Sequence, residues 1–418
     1  MPKESVAVIG SGISGLACAY WLGERYDVTV FERHGRLGGH VDTHHVTIDG
    51  TKQHVDTGFI VFNRRTYPLF CDLLQELGVE SQATDMSFGV MDDVEGWEFC
   101  GRDGIRGILS QPRNLLRPRF LKLMREILRF GRVGRHALTH GKLSEEMSMA
   151  EYLELHSFSD QLANAYLIPF GASIWSADPQ HFLDYPAASL LRFFSNHGIL
   201  DFRERPTWET IVGGSRTYVE RMQASGRFAS RVNSPIDRVL RHDHGVSISS
   251  GSSSESFDHV VFAVPAPIAL SLLGDASEIE RSVLSCFTTI PNAVTLHTDT
   301  TLMPQSRKAW GAWNYHRQSG DSTQATLTYW MNLLQRLDAP SPALVTLNCD
   351  RDIAPQRVLK QRDYVHPVFN GDALRAQHRW RDINGTRRTW FAGAYWFNGF
   401  HEDGARSARR VADALGHD

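Results

Sequence analysis

The chain opens on Val6-Ala-Val-Ile9, a short unbroken apolar run of the kind a strand buried in a parallel sheet requires. A helical stretch follows from Leu16 to Gly23, and then a second run, Asp27-Val-Thr-Val-Phe31. Alternation sets in next. Val46 to Ile48, a turn at Asp49-Gly50 and His54 to Asn63 read as a hairpin. From Tyr67 the period lengthens: Leu69 to Leu77 has helical spacing and stops at Gly78, and Pro118 opens a helix in which Lys122, Arg125, Arg129 and Arg132 follow three- and four-residue steps beside an apolar stripe. Tyr166 to Trp175 and Phe193-Phe194 are apolar and aromatic, suiting a core or a pocket wall equally. Strand patterns return at Val232 to Leu240, Val246 to Ile248 and Phe257 to Pro265, with the serine cluster Ser249 to Ser254 read as a hairpin loop. Three alternating runs follow, Val294 to His297, Ala325 to Trp330 and Ala343 to Leu347. The chain closes on a buried strand, Thr389 to Ala394, and an amphipathic helix from Gly404 to Leu415.

Chemistry enters with the glycines between the first strand and the first helix. Gly10 permits the tight turn, Gly12 lets a pyrophosphate approach the backbone, and Gly15 lets helix and strand pack closely. Ile13 and Ser14 open the helix, whose free N–H groups and positive dipole end suit that anion. Glu32 ends the second strand about 20 residues beyond the glycines, where an acid binds ribose hydroxyls. Strand, glycines, helix, strand and acid in this order predict a dinucleotide site.

The segment after Glu32 resembles the RxGG element of the flavin amine oxidase and phytoene desaturase superfamily, carried here by Arg33, Arg36-Leu-Gly38-Gly39 and His40. Asp56-Thr57-Gly58-Phe59 is similar to the segment that passes beneath the flavin in that superfamily. Val232 and the strand ending at Ala263 resemble its adenine-facing and sheet segments. Gly393-Ala394 followed by Glu402-Asp403-Gly404-Ala405 resembles its C-terminal motif, in which a helix N-terminus faces the flavin. The resemblance implies FAD as cofactor and an α/β fold: a Rossmann-like, glutathione reductase-like FAD-binding domain over 1–66, 206–266 and 388–418, and a discontinuous α+β substrate domain over 67–205 and 267–387. It is nearest the bacterial branch described as predicted NAD/FAD-binding proteins and connected with unsaturated or methylated fatty acyl chains, through Gly58 to Asn63, Trp313-Asn-Tyr315 and Tyr329 to Gln335.

Several departures from the superfamily pattern bear on the reaction. Arginine commonly follows the paired glycines, where this chain has His40, and Ala394 stands where relatives carry an acid for the ribityl chain. Amine oxidases carry a lysine at the strand placed at Asn292 to His297, and no lysine occurs there. Their paired aromatics correspond to Tyr395-Trp396-Phe397, followed here by Asn398, Gly399, Phe400 and His401. The expected reaction is therefore dehydrogenation of a hydrophobic chain, with hydride passing to flavin N5 and a base taking the neighbouring proton. Catalytic candidates are His401, Glu402 and Tyr395. A helix N-terminus is expected to lower the pKa of Glu402 and weaken it as a base. Amine oxidation, isomerisation without net redox and a partner role beside a lipid-modifying enzyme are the alternatives. The electron acceptor is unassigned among oxygen, a quinone and a protein.

Composition narrows the setting. The 418 residues, 42% hydrophobic, suit two or three domains. A net charge of −3 gives no reason to expect nucleic acid. The glycine motif lies close to Met1, no apolar run approaches a membrane span, and five cysteines occur without a CxxC pair, so a cytoplasmic protein is expected. His40, His44, His45 and His54 match no tight ligand set, and no metal is expected. Residues 102–142 carry eleven Lys or Arg against Asp103 and Glu126. That segment reads either as a core-facing helix with a solvated basic face or as a dock on an anionic membrane.

Overall fold

Five parallel strands form the first sheet, in the order Ala229–Arg231, Asp27–Phe31, Ser5–Ile9, His259–Phe262 and Thr389–Phe391. The computed structural model describes residues 2–102, 105–141, 143–144, 146–175, 179–200, 206–318, 326–349 and 353–416, without the side chains of 105–106, 172–175 and 179–181. Asp103, Lys142, Ala325, the boundary at 205 and the side chains of Ala172 to Trp175 lie outside that description. Val6, Ala7, Val8, Val30, Val260 and Val261 are buried, which accounts for their unbroken apolar runs. The helices Ile13–Leu22 and His401–Leu415 pack together at this sheet, and a Cβ on Gly404 would stand 2.6 Å from the Ile13 side chain. The first and last segments of the chain therefore meet at the glycine loop.

A three-stranded antiparallel sheet, Arg238–His242, Gly245–Ser250 and Ser253–Phe257, joins the parallel sheet's third and fourth chain segments. The serine cluster expected as a hairpin loop holds the turn at Gly251-Ser252 and extends the paired strands on either side of it by two residues each. Ser253 to Glu255 are exposed at the sheet edge while Phe257 is buried at the end of their strand, so ladder pairing and one anchor decide the conformation. The hairpin Thr43–Ile48 with Thr51–Asp56 turns at Asp49-Gly50, both at positive φ (46° and 80°) as a two-residue hairpin turn needs.

The second large sheet has seven strands: Val358–Val368, Thr288–His297, Leu344–Leu347, Thr326–Trp330, Trp313–Arg317, Phe88–Asp92 and Trp97–Cys100. The last two come from the stretch expected to be mostly helical. Phe88–Asp92 runs parallel to Trp313–Arg317, a pairing of distant segments that local periodicity does not reveal. Pro118–Thr139 and Ala187–Asn196 form a helical layer with its own core, built on Phe120, Leu123, Phe130, Leu191 and Phe194. Val283, Ala373, Trp380 and Ile383, assigned by sequence to the substrate half, pack instead into the core that contains Val6. Their helices cover the nucleotide-binding half, which takes its apolar cover from wherever the chain supplies it.

Asp56 ties these units together. Its buried carboxylate accepts from Thr43 Oγ1 at 2.5 Å, Ser215 N at 3.0 Å, Ser215 Oγ at 2.9 Å and Gln335 Nε2 at 2.9 Å. The hairpin, the start of helix Arg216–Ala224 and the connection between two strands of the second sheet thus share one acceptor, and the shared acceptor fixes Thr57 and Gly58 in the chain that follows. Burial pushes this carboxyl up to about 7. We expect Asp56→Ala to leave the Ser215 and Gln335 donors unsatisfied, at about 1–3 kcal/mol each, and to lower the thermal midpoint clearly, with Asp56→Asn milder. A melt unchanged by Asp56→Ala contradicts this role.

Candidate active site

The glycine loop is shaped by two contacts and one space. Gly10 adopts φ +100°, and a Cβ on Gly15 would lie 1.9 Å from the Gly10 carbonyl oxygen, so the third glycine is required by the packing of helix on strand. A Cβ on Gly12 would meet no atom within 4 Å. That opening sits at the N-terminus of helix Ile13–Leu22, which has no side-chain cap, leaving its first N–H groups for an anion. Glu32 is buried and accepts from Ser11 Oγ at 2.5 Å and His34 N at 2.9 Å. Val232, 39% exposed, follows the strand paired beside it. Free space at Gly12, an uncapped helix and a buried acid fit the pyrophosphate and ribose of FAD.

The arginines behave differently from what the motif implies. Arg33 is exposed. Arg36 turns inward, donating to Val41 O at 2.9 Å and Gly39 O at 3.0 Å and pairing with Asp42 at 3.0 Å. It braces the Gly38–Asp42 loop.

From Gly12, Ile13, Ser14 and Gly38, a cavity of about 1050 Å³ continues past His40, Thr57, Gly58, Phe59, Ala263, Gly393, Ala394, Tyr395 and His401. Gly10, Gly15, Glu32, Arg33, Arg36, Gly39, Val232, Glu402, Asp403 and Ala405 stand outside its wall. Its far end is apolar, with Phe88, Phe99, Met124, Ile127, Phe170 and Phe193 among its walls. Asp85 is the one carboxylate among the described lining residues, and it pairs with Arg102 at 3.5 Å and accepts from Ser87 N.

Three expectations about catalysis are corrected here. The Glu402 carboxylate faces away from the cavity and accepts from Leu69 N at 3.0 Å and Phe70 N at 2.9 Å, capping helix Pro68–Glu76. Its pKa is raised by burial, which outweighs those N–H groups, contrary to the lowering expected from a helix N-terminus. Asp403 caps its own helix through Phe400 N at 2.9 Å and Asn398 N at 3.2 Å. His401 borders the cavity, but its ring stacks on Phe59 at 3.7 Å and its Nε2 is bonded to the Tyr218 hydroxyl at 2.8 Å. Burial, and then His40, holds it well below the usual histidine range, and its Nε2 is already engaged by Tyr218. Tyr395 is buried in the cavity wall, its ring against Gly393.

Two further histidines, His40 and His366, stand together in the cavity wall. His40 is open to solvent only in the sense that it faces the cavity interior, since protein surrounds it. Its ring stacks between Tyr364 at 5.2 Å and His366 at 5.4 Å. Burial, then Arg36, lowers its pKa against the opposing bond to the Val365 backbone. That bond consumes one ring N–H, so in the neutral ring the other nitrogen is an acceptor.

His366, which sequence reasoning missed, has the opposite polarity. Ala293 N donates to Asn348 Oδ1 at 3.2 Å, Asn348 Nδ2 to Asn292 Oδ1 at 2.9 Å, and Asn292 Nδ2 to His366 Nδ1 at 3.0 Å. Each amide is oriented by its neighbour, so Nδ1 of His366 accepts and Nε2 carries the proton. Burial, then His40, pushes His366 down to about 3, keeping the ring neutral. The one sequence signal was indirect: the strand at Asn292 lacks the lysine of amine oxidases, and Asn292 is the residue that orients His366. Among the described residues no group of three or more His, Cys, Asp or Glu is placed to hold a metal ion, and no helix is long and apolar enough to cross a membrane.

The model of the flavin-containing amine oxidoreductase family matches residues 13–416. No curated protein matches the sequence. Solved structures of similar fold include a protein described as a protoporphyrinogen oxidase from Exiguobacterium sp. 255-15 (17% identity, TM-score 0.71, 99% of each chain covered). A fatty acid isomerase from P. acnes that produces CLA aligns at 17% identity and TM-score 0.69 over 99% of this chain and 98% of its own. Cyclohexylamine oxidase from Brevibacterium oxydans IH-35A aligns at 16% and 0.69 over 100% and 99%. At these identities the likeness concerns the fold.

Two measurements probe this geometry. Gly12→Ala should leave the melt of the apoprotein unchanged yet weaken FAD about tenfold, the loss of one contact of about 1.4 kcal/mol, whereas Gly15→Ala should destabilise the apoprotein itself by about 1–3 kcal/mol. Equal effects on both readouts contradict it. Nitrogen NMR should find His366 as the Nε2–H tautomer, neutral from pH 8 to 5, while Asn292→Asp should move the proton to Nδ1 and raise the pKa. A wild-type Nδ1–H signal contradicts the relay.

Proposed function

The chain belongs to the flavin-containing amine oxidoreductase family and is an FAD-dependent oxidoreductase, and from that premise we propose that it dehydrogenates the unsaturated or methylated acyl chain of a lipid. The observation that carries this reading is the cavity, which runs from the glycine loop into an apolar chamber whose one carboxylate among the described lining residues is already engaged by Arg102. Among the described lining residues a protonated amine finds no free carboxylate, whereas an acyl chain needs none. FAD supplies the hydride acceptor, at N5.

The chain's own residues supply the rest. His40 takes the proton, because its ring is neutral and its unprotonated nitrogen is left open by the bond to Val365. His366 offers an oriented N–H from a neutral ring at the same wall, stabilising negative charge without itself giving up a proton. Asn292 and Asn348 hold that donor in place. Phe59, Phe193 and Phe400 exclude water from the chain's path.

Amine oxidation remains the second reading because cyclohexylamine oxidase shares the fold. Mixing the purified protein anaerobically with lipids bearing unsaturated or methyl-branched chains should bleach the flavin absorbance, and a panel of amines should not. His40→Gln should retain FAD and slow bleaching by about 10²–10⁴-fold, the usual worth of a positioned acid–base group. Bleaching by amines alone contradicts the reading.

A further inference from the structure

The helix expected to bear a basic face also borders the mouth of the cavity. Leu128 lines the cavity and is 57% exposed, so the wall opens to the outside at that residue. Around it the surface is apolar and basic at once. Leu121, Arg125, Leu128 and Arg132 fall at helical spacing on one face of Pro118–Thr139, and all four are exposed. The preceding turn, Pro112–Leu116, adds Leu116 at 85% exposure. Exposed leucines bordering a cavity mouth on one helix are not a scattered surface feature.

Charge points to the occupant. Between Arg113 and Arg135 there are eight Lys or Arg and one acid, Glu126, on a chain whose net charge is −3. Glu126 is buried and accepts from Ser159, so it does not neutralise this face. Arg119 pairs with Glu95, and Arg129 is bound to the His156 carbonyl over Phe158. Lys122, Arg125 and Arg132 carry no ion pair or hydrogen bond among the described residues, so their charge is available to a partner. Unpartnered cations interleaved with exposed leucines match the headgroup and acyl boundary of an anionic bilayer, where each cation is attracted and each leucine is buried.

We propose that this face docks on an anionic membrane and that an acyl chain leaves the bilayer past Leu128 into the cavity. Delivery of the chain rests on the acyl-chain reading of the active site; the docking does not. The buried half of the same helix, Phe120, Leu123 and Phe130, holds the layer together, so docking requires no unfolding.

The test is co-sedimentation of the FAD-loaded full chain with vesicles of phosphatidylglycerol and phosphatidylcholine, against phosphatidylcholine alone. We expect binding to the anionic vesicles that weakens with salt. The triple variant Lys122→Ala, Arg125→Ala, Arg132→Ala should lose about a hundredfold in partitioning, and Leu116→Ser with Leu121→Ser should lose binding as well. Both variants should keep their flavin spectrum, their melt and their flavin reduction by detergent-dispersed lipid. Wild-type protein that ignores anionic vesicles, or variants that bind as wild type does, would overturn the docking. Vesicle binding lost in the variants, with no lipid ever reducing the flavin, upholds the docking and removes the acyl-chain reading.

Discussion

The approach of helix Ile13–Leu22 to the strand before it is the constraint on which the site depends. With Gly10 and Gly15 in contact, the helix N-terminus is held at the sheet's edge and the space at Gly12 is left clear. The C-terminal helix then closes on the same place through Gly404 against Ile13, and Asp56 separately ties the hairpin to Ser215 and to Gln335 beside the second sheet. The packing leaves backbone N–H groups at the helix end for an anion, while Arg36 braces the neighbouring loop.

A second consequence concerns the histidines. The cavity wall sits deep enough that His40, His366 and His401 all lose the stability of their charged forms. A neutral ring can take a proton only at a nitrogen left open, and can donate only from the nitrogen that carries the hydrogen. Their usefulness depends on which nitrogen carries the proton, and that is decided outside the cavity, by a backbone bond for His40 and by the asparagine relay for His366. His401 is orientated by Tyr218 and Phe59 into a wall position, where its contribution is shape.

What could be read in the sequence divides along the same line. The dinucleotide unit was legible because strand, glycines, helix and acid are neighbours in sequence as well as in space. The Asp49-Gly50 turn and the helix opened by Pro118 were legible for the same reason. Glu402 was misread because its partners, the N–H groups of Leu69 and Phe70, lie more than three hundred residues away in the chain. His366 was invisible because its orientation depends on Asn292 and Asn348, brought together only by the pairing of Thr288–His297 with Leu344–Leu347 and Val358–Val368. The strands Phe88–Asp92 and Trp97–Cys100 escaped notice although they pair with each other across a short turn, because both faces are largely buried and no alternation marks them. The serine-rich strand shows the converse: weak local preference yields to a ladder anchored at Phe257.

A dehydrogenase acting through one neutral acceptor and one neutral donor leaves a specific trace in its product. The most direct measurement is mass spectrometry of the lipid after a single anaerobic turnover with the FAD-loaded protein. The account predicts a chain that has lost two hydrogens, in an amount equal to the flavin reduced. A chain of unchanged mass with its double bond displaced, or lipid left untouched while an amine is converted, would contradict it.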